Sequence, residues 1–231
     1  MSAQYDDSFL LAGEYYAIAG ITSDVCRPTL FDPRAHGMNP TANNSACWRG
    51  YVAAYGLRDD RLVLEELEIN VHSQEWEEEL KRLRELKEIR SHLPPLQRGP
   101  KPRPKCMKGG ACGPAINGVL PVAPPDPKTS GAFSNNYHNV GLPLPFTGGV
   151  LLARGFIEDL YEHMGFHPAW KYQTVVEILF RDGLLIAKHD RSAAMAEQRE
   201  AHLAEGGENT SHYSSPEAMV QWIDDCFDRR Y

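Results

Sequence analysis

Alternating apolar and polar positions in two stretches of the chain predict two β-hairpins. In residues 47–70, apolar runs flank a turn at residues 58–60. In residues 171–189, two alternating runs flank a turn at residues 181–183, which contains an Asp-Gly pair. An Asp-Gly pair in this setting is a strong hairpin signal, because glycine readily adopts the positive φ that such turns require. A pair of apolar runs interrupted by glycine, residues 8–21, predicts a further strand or hairpin.

The two hairpins align with each other at an offset of 123 residues. At this offset Val52 falls on Val175 and Tyr55 falls on Ile178. Either a duplicated half-domain or two hairpins in one antiparallel sheet would produce this match. We favour two hairpins in one sheet, because repeat architectures show shorter and more numerous periods.

Three segments outside the hairpins have the patterns of helices. Residues 73–93 carry apolar side chains at spacings of three and four, which predicts a helix packed on the sheet. Residues 191–205 suit a helix that ends at Gly206 and Gly207, and a final helix is expected to begin at Ser215. The predicted fold class is therefore α+β. Its antiparallel sheet is built from hairpins and packed by an amphipathic helix and C-terminal helices.

Two stretches are predicted to lack regular structure. Residues 22–46 are expected to form a long connection on the surface. Residues 94–145 hold 12 of the chain's 17 prolines, and they are expected to form an irregular insertion in a single domain, residues 1–231. A mobile loop is the favoured interpretation of this insertion. A local disulfide or metal clip between Cys106 and Cys112 is the alternative.

Charge is divided unevenly between the insertion and the rest of the chain. Residues 94–131 carry six basic side chains and one acidic side chain, whereas the whole chain has a formal net charge of −7. The remaining residues therefore carry −12, which disfavours nucleic acid and favours a basic protein partner. Solubility alone explains an acidic surface and is the favoured interpretation of this charge. Nucleic-acid binding through the basic residues 98–108 is the less favoured alternative.

Composition and cysteine usage indicate a soluble globular protein. The apolar fraction of 42% and the charged fraction of 24% are ordinary. No apolar run approaches the ~18 residues needed to cross a bilayer, and the first 20 residues lack the pattern of a secretory signal. The five cysteines are widely spread and do not suggest a disulfide framework, so a cytoplasmic location without membrane association is expected.

His163 and His167 are the candidate catalytic or metal-binding pair. Their i,i+4 separation is that of a zinc-binding helix, but the intervening Met-Gly-Phe lacks the glutamate that metalloproteases use as a base. Glu162 and Asp159 could supply oxygen ligands. We favour structural hydrogen bonds for both histidines at a strand end, and therefore expect no metal and no cofactor. The alternative is a small hydrolase or metal-dependent enzyme.

Cys47 is the candidate nucleophile of that alternative. The neighbouring Arg49 could lower the pKa of its thiol, and a base could come from His163, His167 or His138. A small buried cysteine at a strand start is the favoured interpretation. The sequence contains no G-x-S-x-G motif, no phosphate-binding glycine loop and no dinucleotide fingerprint.

Five aromatic residues lie around the two predicted hairpins. We expect most of them to be core residues, and a partly exposed subset could anchor a binding partner. These residues are Trp48, Tyr51, Tyr55, Trp170 and Tyr172.

Three pieces of the chain resemble blocks of small, uncharacterised bacterial proteins. The pieces are WRGYVAAYGLRDDRLVLEELEI, TGGVLLARGF and HMGFHPAWKYQTVVEILFRDGLLI, about a quarter of the chain. The similar proteins are β-rich, and some resemble the immunity proteins that neutralise secreted toxins. Together with the acidic charge, the aromatic residues and the lack of a complete catalytic set, the resemblance favours a non-enzymatic cytoplasmic protein-binding module. An immunity-type inhibitor is the specific form that it suggests.

Overall fold

The described part of the chain is built around a mixed sheet of nine strands, accompanied by two α-helices. A computed structural model describes residues 2–24, 28–42, 44–71, 74–92, 111–124, 133–204 and 229–231. The strands are β1 (Ser8–Leu11), β2 (Glu14–Thr22), β3 (Tyr51–Arg58), β4 (Arg61–Ile69), β5 (Asn135–Tyr137), β6 (Leu142–Pro143), β7 (Gly148–Phe156), β8 (Tyr172–Arg181) and β9 (Leu184–Asp190). The helices are α1 (Gln74–His92) and α2 (Ser192–Ala204). The predicted α+β class is confirmed at this level.

Three antiparallel hairpins provide six of these strands: β1–β2, β3–β4 and β8–β9. Both central residues of each two-residue turn have positive φ, as type I′ turns require. The turn residues are Ala12 and Gly13, Asp59 and Asp60, and Asp182 and Gly183. The predicted hairpins are therefore present, although β3 begins at Tyr51 instead of Cys47.

The turns of the two aligned hairpins bond to each other reciprocally. Leu62 N donates to Gly183 O at 2.8 Å, and Leu185 N donates to Asp60 O at 2.8 Å. Each atom in the first bond is related to its counterpart in the second by the offset of 123 residues seen in the sequence. The two hairpins thus belong to one sheet and meet through a local two-fold arrangement of their turns.

The strands close on themselves because β3 is paired along both edges. It pairs with β4 on one side and with β1 on the other. The pairings β3–β1–β2–β7–β8–β9–β4 therefore return to β3. The β1–β3 ladder is parallel, which corrects the expectation of a purely antiparallel sheet.

Closure gives the sheet an inner and an outer face with different partners. In β7, Val150 and Leu152 belong to the main interior cluster, whereas Leu151 and Ala153 belong to a second cluster on the outer face. This division follows from the period of two residues along a strand. Both sets are apolar in β7, because each face of this strand is covered.

Helix α2 covers part of the outer face. Met195 packs against the outer cluster, and Arg199 Nη1 donates to Trp170 O at 2.9 Å and to Tyr172 O at 3.1 Å. The helix predicted over residues 191–205 is therefore confirmed, and it is packed on the sheet through its side chains.

The helix predicted over residues 73–93 is confirmed for its described residues, Gln74–His92, but the described part of its apolar stripe does not dock on the sheet. Leu86 and Ile89 remain 37% and 60% exposed. The helix predicted to begin at Ser215 lies outside the described residues. No helix in the described part of the chain has the length and apolar content that spanning a membrane requires.

Two segments that the sequence suggested were irregular contribute to the sheet and the core. Strands β5 and β6, inside the proline-rich insertion, pair with the edge of β4 that β3 leaves open, and Asn135 of β5 is fully buried. In residues 22–46, Leu30, Phe31 and Met38 are buried in the main cluster. The prediction of an insertion without regular elements was therefore wrong for its last part. Pairing with β4 outweighs a low local preference for strands.

Gly183→Ala is expected to destabilise the protein more than Gly13→Ala. Both glycines have positive φ, so alanine strains either turn. At Gly183 an added Cβ would also overlap the carbonyl oxygen of Leu144, whereas at Gly13 it would meet nothing within 4 Å. We expect a loss of about 1 kcal/mol at Gly13 and roughly 1–3 kcal/mol more at Gly183, measured by urea denaturation. Equal losses of stability in the two variants would contradict a packing role for the turn between β8 and β9.

Candidate functional site

Three segments are joined by hydrogen bonds into a structure that we call the loop junction: residues 2–7, 44–50 and 157–171. Gln4 N donates to Gly165 O at 2.7 Å, and Tyr5 N donates to Ala46 O at 2.8 Å. The side chain of Gln4 also accepts a hydrogen bond from Trp48 N at 3.0 Å. These bonds hold three connections, which are distant in sequence, in one fixed arrangement.

The carboxylate of Asp7 is the buried ionic centre of the loop junction. Its oxygens accept from Arg49 Nη1 at 2.7 Å and from Arg49 Nη2 at 2.9 Å. They also accept from Arg229 Nη1 at 3.1 Å and from Ala53 N at 2.9 Å. Burial alone would raise the pKa of Asp7, but the two guanidinium groups outweigh it and lower this pKa to about 2. Asp7 therefore remains ionised at any physiological pH.

Asp6 is in the opposite electrostatic state. Its Oδ1 is buried and has no hydrogen-bond partner among the described residues, while its Oδ2 accepts from the Tyr172 hydroxyl at 3.4 Å. Burial raises the pKa of Asp6 to about 7 even though Arg229 lowers it, and the charge on Asp7 adds to the increase. Adjacent carboxyl groups with pKa values pushed apart can hold and release a proton near neutral pH.

His163 and His167 lie in different environments. His163 is exposed, and its Nδ1 lies 3.0 Å from the Tyr161 hydroxyl. His167 is buried, and its ring centroid lies 4.7 Å from that of Phe156 and 5.4 Å from that of Tyr161. Burial lowers the pKa of His167, and nearby Lys171 lowers it further. Within the described residues, no three His, Cys, Asp or Glu side chains are grouped to hold a metal ion.

The expected structural hydrogen bonds are therefore found for His163 only. The Nδ1 atom of His167 is buried without a hydrogen-bond partner among the described residues. Tilted contacts with the rings of Phe156 and Tyr161 hold this ring instead.

Glu162 is engaged by a buried lysine. Lys171 Nζ lies 3.0 Å from Glu162 Oε1, an ion-pair distance, although the two groups are not aligned for a hydrogen bond. The ammonium group also lies 5.2 Å from the ring centroid of Trp170. A buried ammonium group without a counter-charge would be costly, so this pairing gives Glu162 a structural role.

Cys47 is buried, and its thiol donates to Tyr51 O at 3.4 Å rather than to an imidazole. Burial raises the pKa of the Cys47 thiol, and this outweighs the opposing effect of Arg49. His138, one of the three candidate bases, lies 3.5 Å from Glu66. The geometry at Cys47 is therefore that of a core cysteine.

Of the pair Cys106 and Cys112, only Cys112 lies within the described residues. Cys112 is exposed, and its thiol donates to Val71 O at 3.4 Å. Cys106 and residues 98–108 lie outside the described residues. Because the Cys112 thiol is free, the disulfide is not formed, whereas the metal clip and the nucleic-acid contact remain predictions.

The five aromatic residues proposed as binding anchors divide between core and surface. Tyr51, Tyr55 and Tyr172 are buried. Trp48 is 46% exposed, and Trp170 is partly exposed. Only the two tryptophans of this set can contact a partner without rearrangement of the core.

The residues that organise the loop junction include several that the sequence did not identify. Asp6 and Asp7 form an adjacent acidic pair directly before an apolar run, a signal that the sequence contains but that has many ordinary explanations. Arg229 is separated from Asp7 by 222 residues, so no local pattern connects them. Nothing in the sequence around Lys171 indicates that its side chain is buried.

Replacing Asp6 is expected to change the pH dependence of stability. The folded state raises the pKa of Asp6 from 3.8 to about 7, so it favours the protonated form. Its contribution is fully present below about pH 4 and is lost as the pH rises to about 7, at a cost of roughly 2–4 kcal/mol. Asp6→Asn should remove this loss, whereas Asp159→Asn, at an exposed carboxylate of the same junction, should retain it.

Urea denaturation from pH 4 to pH 8 measures this effect. If the wild-type protein and Asp6→Asn had parallel stability profiles, Asp6 would not be protonated in the folded state. Asp7 acts in the opposite direction, since its lowered pKa stabilises the folded state above about pH 4, and it is unchanged in both variants.

Alkylation of the native protein should separate Cys47 from Cys112. The exposed Cys112 thiol should react with iodoacetamide at pH 7.5, whereas the buried Cys47 thiol should react only after unfolding. Peptide mapping by mass spectrometry reports the two sites independently. Rapid modification of Cys47 in the native protein would instead favour a nucleophilic role.

Comparisons with known proteins give no match from which a function could be inferred. No protein-family model matches the chain. No curated protein and no solved structure matches it either. The resemblance to immunity proteins therefore remains a prediction, and a function has to be argued from the loop junction and its surface.

Proposed function

We propose that the chain is a non-enzymatic protein-binding module, with an immunity-type inhibitor as its specific form. The binding surface is the exposed side of the loop junction. The observation that carries this proposal is the exposure of three large aromatic side chains on segments that buried hydrogen bonds and ion pairs hold in place: Tyr5 (46%), Trp48 (46%) and Tyr161 (52%).

Exposed aromatic side chains on a rigid support suit protein recognition. Tyrosine and tryptophan contribute large contact areas with few rotatable bonds, and they are common among the residues that dominate binding energy. The backbone amide of Tyr5 donates to Ala46 O, and the backbone amide of Trp48 donates to the side chain of Gln4. The amide of Gln4 in turn donates to Gly165 O. Because the support is already ordered, association would not incur the entropic cost of ordering it.

The charges of the loop junction favour a basic partner. Its buried or paired carboxylates, Asp7 and Glu162, are neutralised internally by arginine and lysine. Glu158 and Asp159 remain exposed next to Tyr161. Exposed carboxylates of this kind steer positively charged partners and discriminate against negatively charged ones such as nucleic acid.

The alternative of a small hydrolase or metal-dependent enzyme has less support. Tyr161 lies against both His163 and His167, and Lys171 lies near both His167 and Glu162. Among the described residues, no hydrogen bond joins two of the four proposed side chains, His163, His167, Glu162 and Cys47. The thiol is buried with a raised pKa, and the carboxylate is paired with Lys171. The one feature of the junction that suits acid–base chemistry is Asp6, which the hydrolase hypothesis did not include.

The proposal is tested by affinity capture with surface variants. Immobilised wild-type protein, Trp48→Ala and Tyr161→Ala would be incubated with an extract of the organism that encodes the chain, and captured proteins would be quantified by mass spectrometry. We expect a basic protein whose capture falls about tenfold or more in both variants and decreases with salt. Ile186→Ala removes a comparably exposed apolar side chain from β9 and is the matched control.

Capture of the same proteins by all four forms would contradict the proposed surface. For the immunity-type form, the captured protein should be toxic when expressed alone, and co-expression of the chain should restore growth. Restoration by Trp48→Ala as strong as that by the wild type would also contradict it.

A further inference from the structure

Residues 229–231 contact both an edge and a face of the sheet. Strand β1 leaves the edge of β2 at Asp7, whose carbonyl accepts from Ile18 N at 2.9 Å. Farther along the same edge, Ile21 N donates to Arg229 O at 2.7 Å. Arg229 therefore bonds to a part of the β2 edge that β1 does not use, and main-chain bonds to a strand edge are a common way for proteins to bind peptides.

The ring of Tyr231 rests where two strands lack side chains. Gly20 of β2 lies opposite Leu151 of β7, and Gly149 of β7 lies opposite Thr22 of β2. A Cβ added at Gly20 would come within 2.8 Å of the Tyr231 ring, and one added at Gly149 would overlap the Tyr231 hydroxyl. Neither glycine has positive φ, so the backbone conformation does not require glycine at these positions. Glycine is required at both positions because the Tyr231 side chain occupies the space of a Cβ atom.

Two buried carboxylates bind the polar ends of the segment. Arg229 Nη1 lies 3.1 Å from Asp7 Oδ2, and its guanidinium carbon lies 4.8 Å from the ring centroid of Phe166. The Tyr231 hydroxyl donates to Glu177 Oε1 at 3.0 Å. A backbone hydrogen bond, a charge pair, a ring position and a hydroxyl contact thus define a site with the specificity Arg-x-Tyr.

Both carboxylates keep other partners when this segment is removed. Asp7 retains Arg49 and the amide of Ala53. Glu177 Oε2 accepts from Arg191 Nε at 2.8 Å and from Arg191 Nη2 at 2.6 Å. Loss of the segment therefore leaves no buried carboxylate without a counter-charge, which is the usual reason that removing one ionic partner is strongly destabilising. Tyr231 is also still 45% exposed.

We infer that residues 229–231 occupy a peptide-binding site of this protein, and that a partner segment containing Arg-x-Tyr binds the same site by displacing them. The inference builds on the proposed protein-binding function and names its partner class, a basic segment with an aromatic residue two positions later. The site adjoins the loop junction through Asp7 and Phe166, so one partner can contact both. The chain's own segment acts as an intramolecular competitor.

Residues 229–231 belong to the same chain as the site, and this covalent link determines how strongly they compete with an external peptide. A tethered segment faces its site at an effective concentration in the millimolar range, so an external peptide binds weakly until the segment is removed. The probe is a synthetic peptide with the sequence of residues 227–231, Phe-Asp-Arg-Arg-Tyr. Its dissociation constant would be measured by calorimetry against the full wild-type chain and against the double variant Arg229→Ala/Tyr231→Ala.

We expect the double variant to bind the peptide at least tenfold more tightly than the wild type does. Peptides in which the first Arg or the Tyr is replaced by Ala should lose at least tenfold in affinity for the double variant. Adding Gly149→Ala to the double variant should weaken binding similarly, because the added methyl group occupies the position of the tyrosine hydroxyl. Adding Gly56→Ala, where the nearest atom to a new Cβ is 3.4 Å away, should have little effect.

Several outcomes would overturn the inference. The first is a folded double variant that does not bind the peptide, and the second is binding that is indifferent to the Tyr or to Gly149→Ala. If the double variant does not fold, Tyr231→Ala alone, which retains the Arg229–Asp7 pair, takes its place. Failure of both to fold would show that the segment is an integral part of the fold and not a replaceable ligand. Trp48 and Tyr161 are intact throughout, so failed peptide binding with retained partner capture rejects this inference alone.

Discussion

The ion pairs of Asp7 with Arg49 and Arg229 are the interaction on which the candidate site depends. A buried carboxylate needs counter-charges and hydrogen bonds, and Asp7 obtains them from two other segments of the chain. The requirement joins the start of β1, the connection before β3 and residues 229–231. Removal of Arg49 would leave a buried charge with one remaining arginine, so the loop junction is held by electrostatic necessity as well as by apolar packing.

The same arrangement explains why neighbouring carboxyl groups behave differently. Asp7 is surrounded by donors, and its pKa falls. Asp6 is half-buried, with a buried Oδ1 atom and one long contact to a hydroxyl group, and its pKa rises to about 7. The surface above them carries the exposed aromatic side chains of the proposed binding site. The two carboxyl groups thus belong to the structure that supports these aromatic side chains. Residues 229–231 are held by both Asp7 and the outer face of the sheet.

Closure of the strands provides the rigid base for this arrangement. The glycines at positions 20 and 149 leave room for Tyr231 only because β2 and β7 are adjacent and in the observed register. The pairing of β1 with both β2 and β3 leaves the far part of the β2 edge free for residues 229–231. The binding geometry that we infer is therefore a consequence of strand order more than of any single motif.

The sequence by itself determined the hairpins and helix α2, because alternation, turn residues and helical spacing are local properties. It also correctly predicted that Cys47 is buried, although β3 begins only at Tyr51 and Cys47 is not at the start of a strand. Tertiary structure alone decided that proline-rich residues would add strands to β4, that Lys171 would be buried, and that Asp7 would meet Arg229. Those outcomes depend on contacts between residues far apart in the chain, and charge and burial at such contacts have no periodic signature in the sequence.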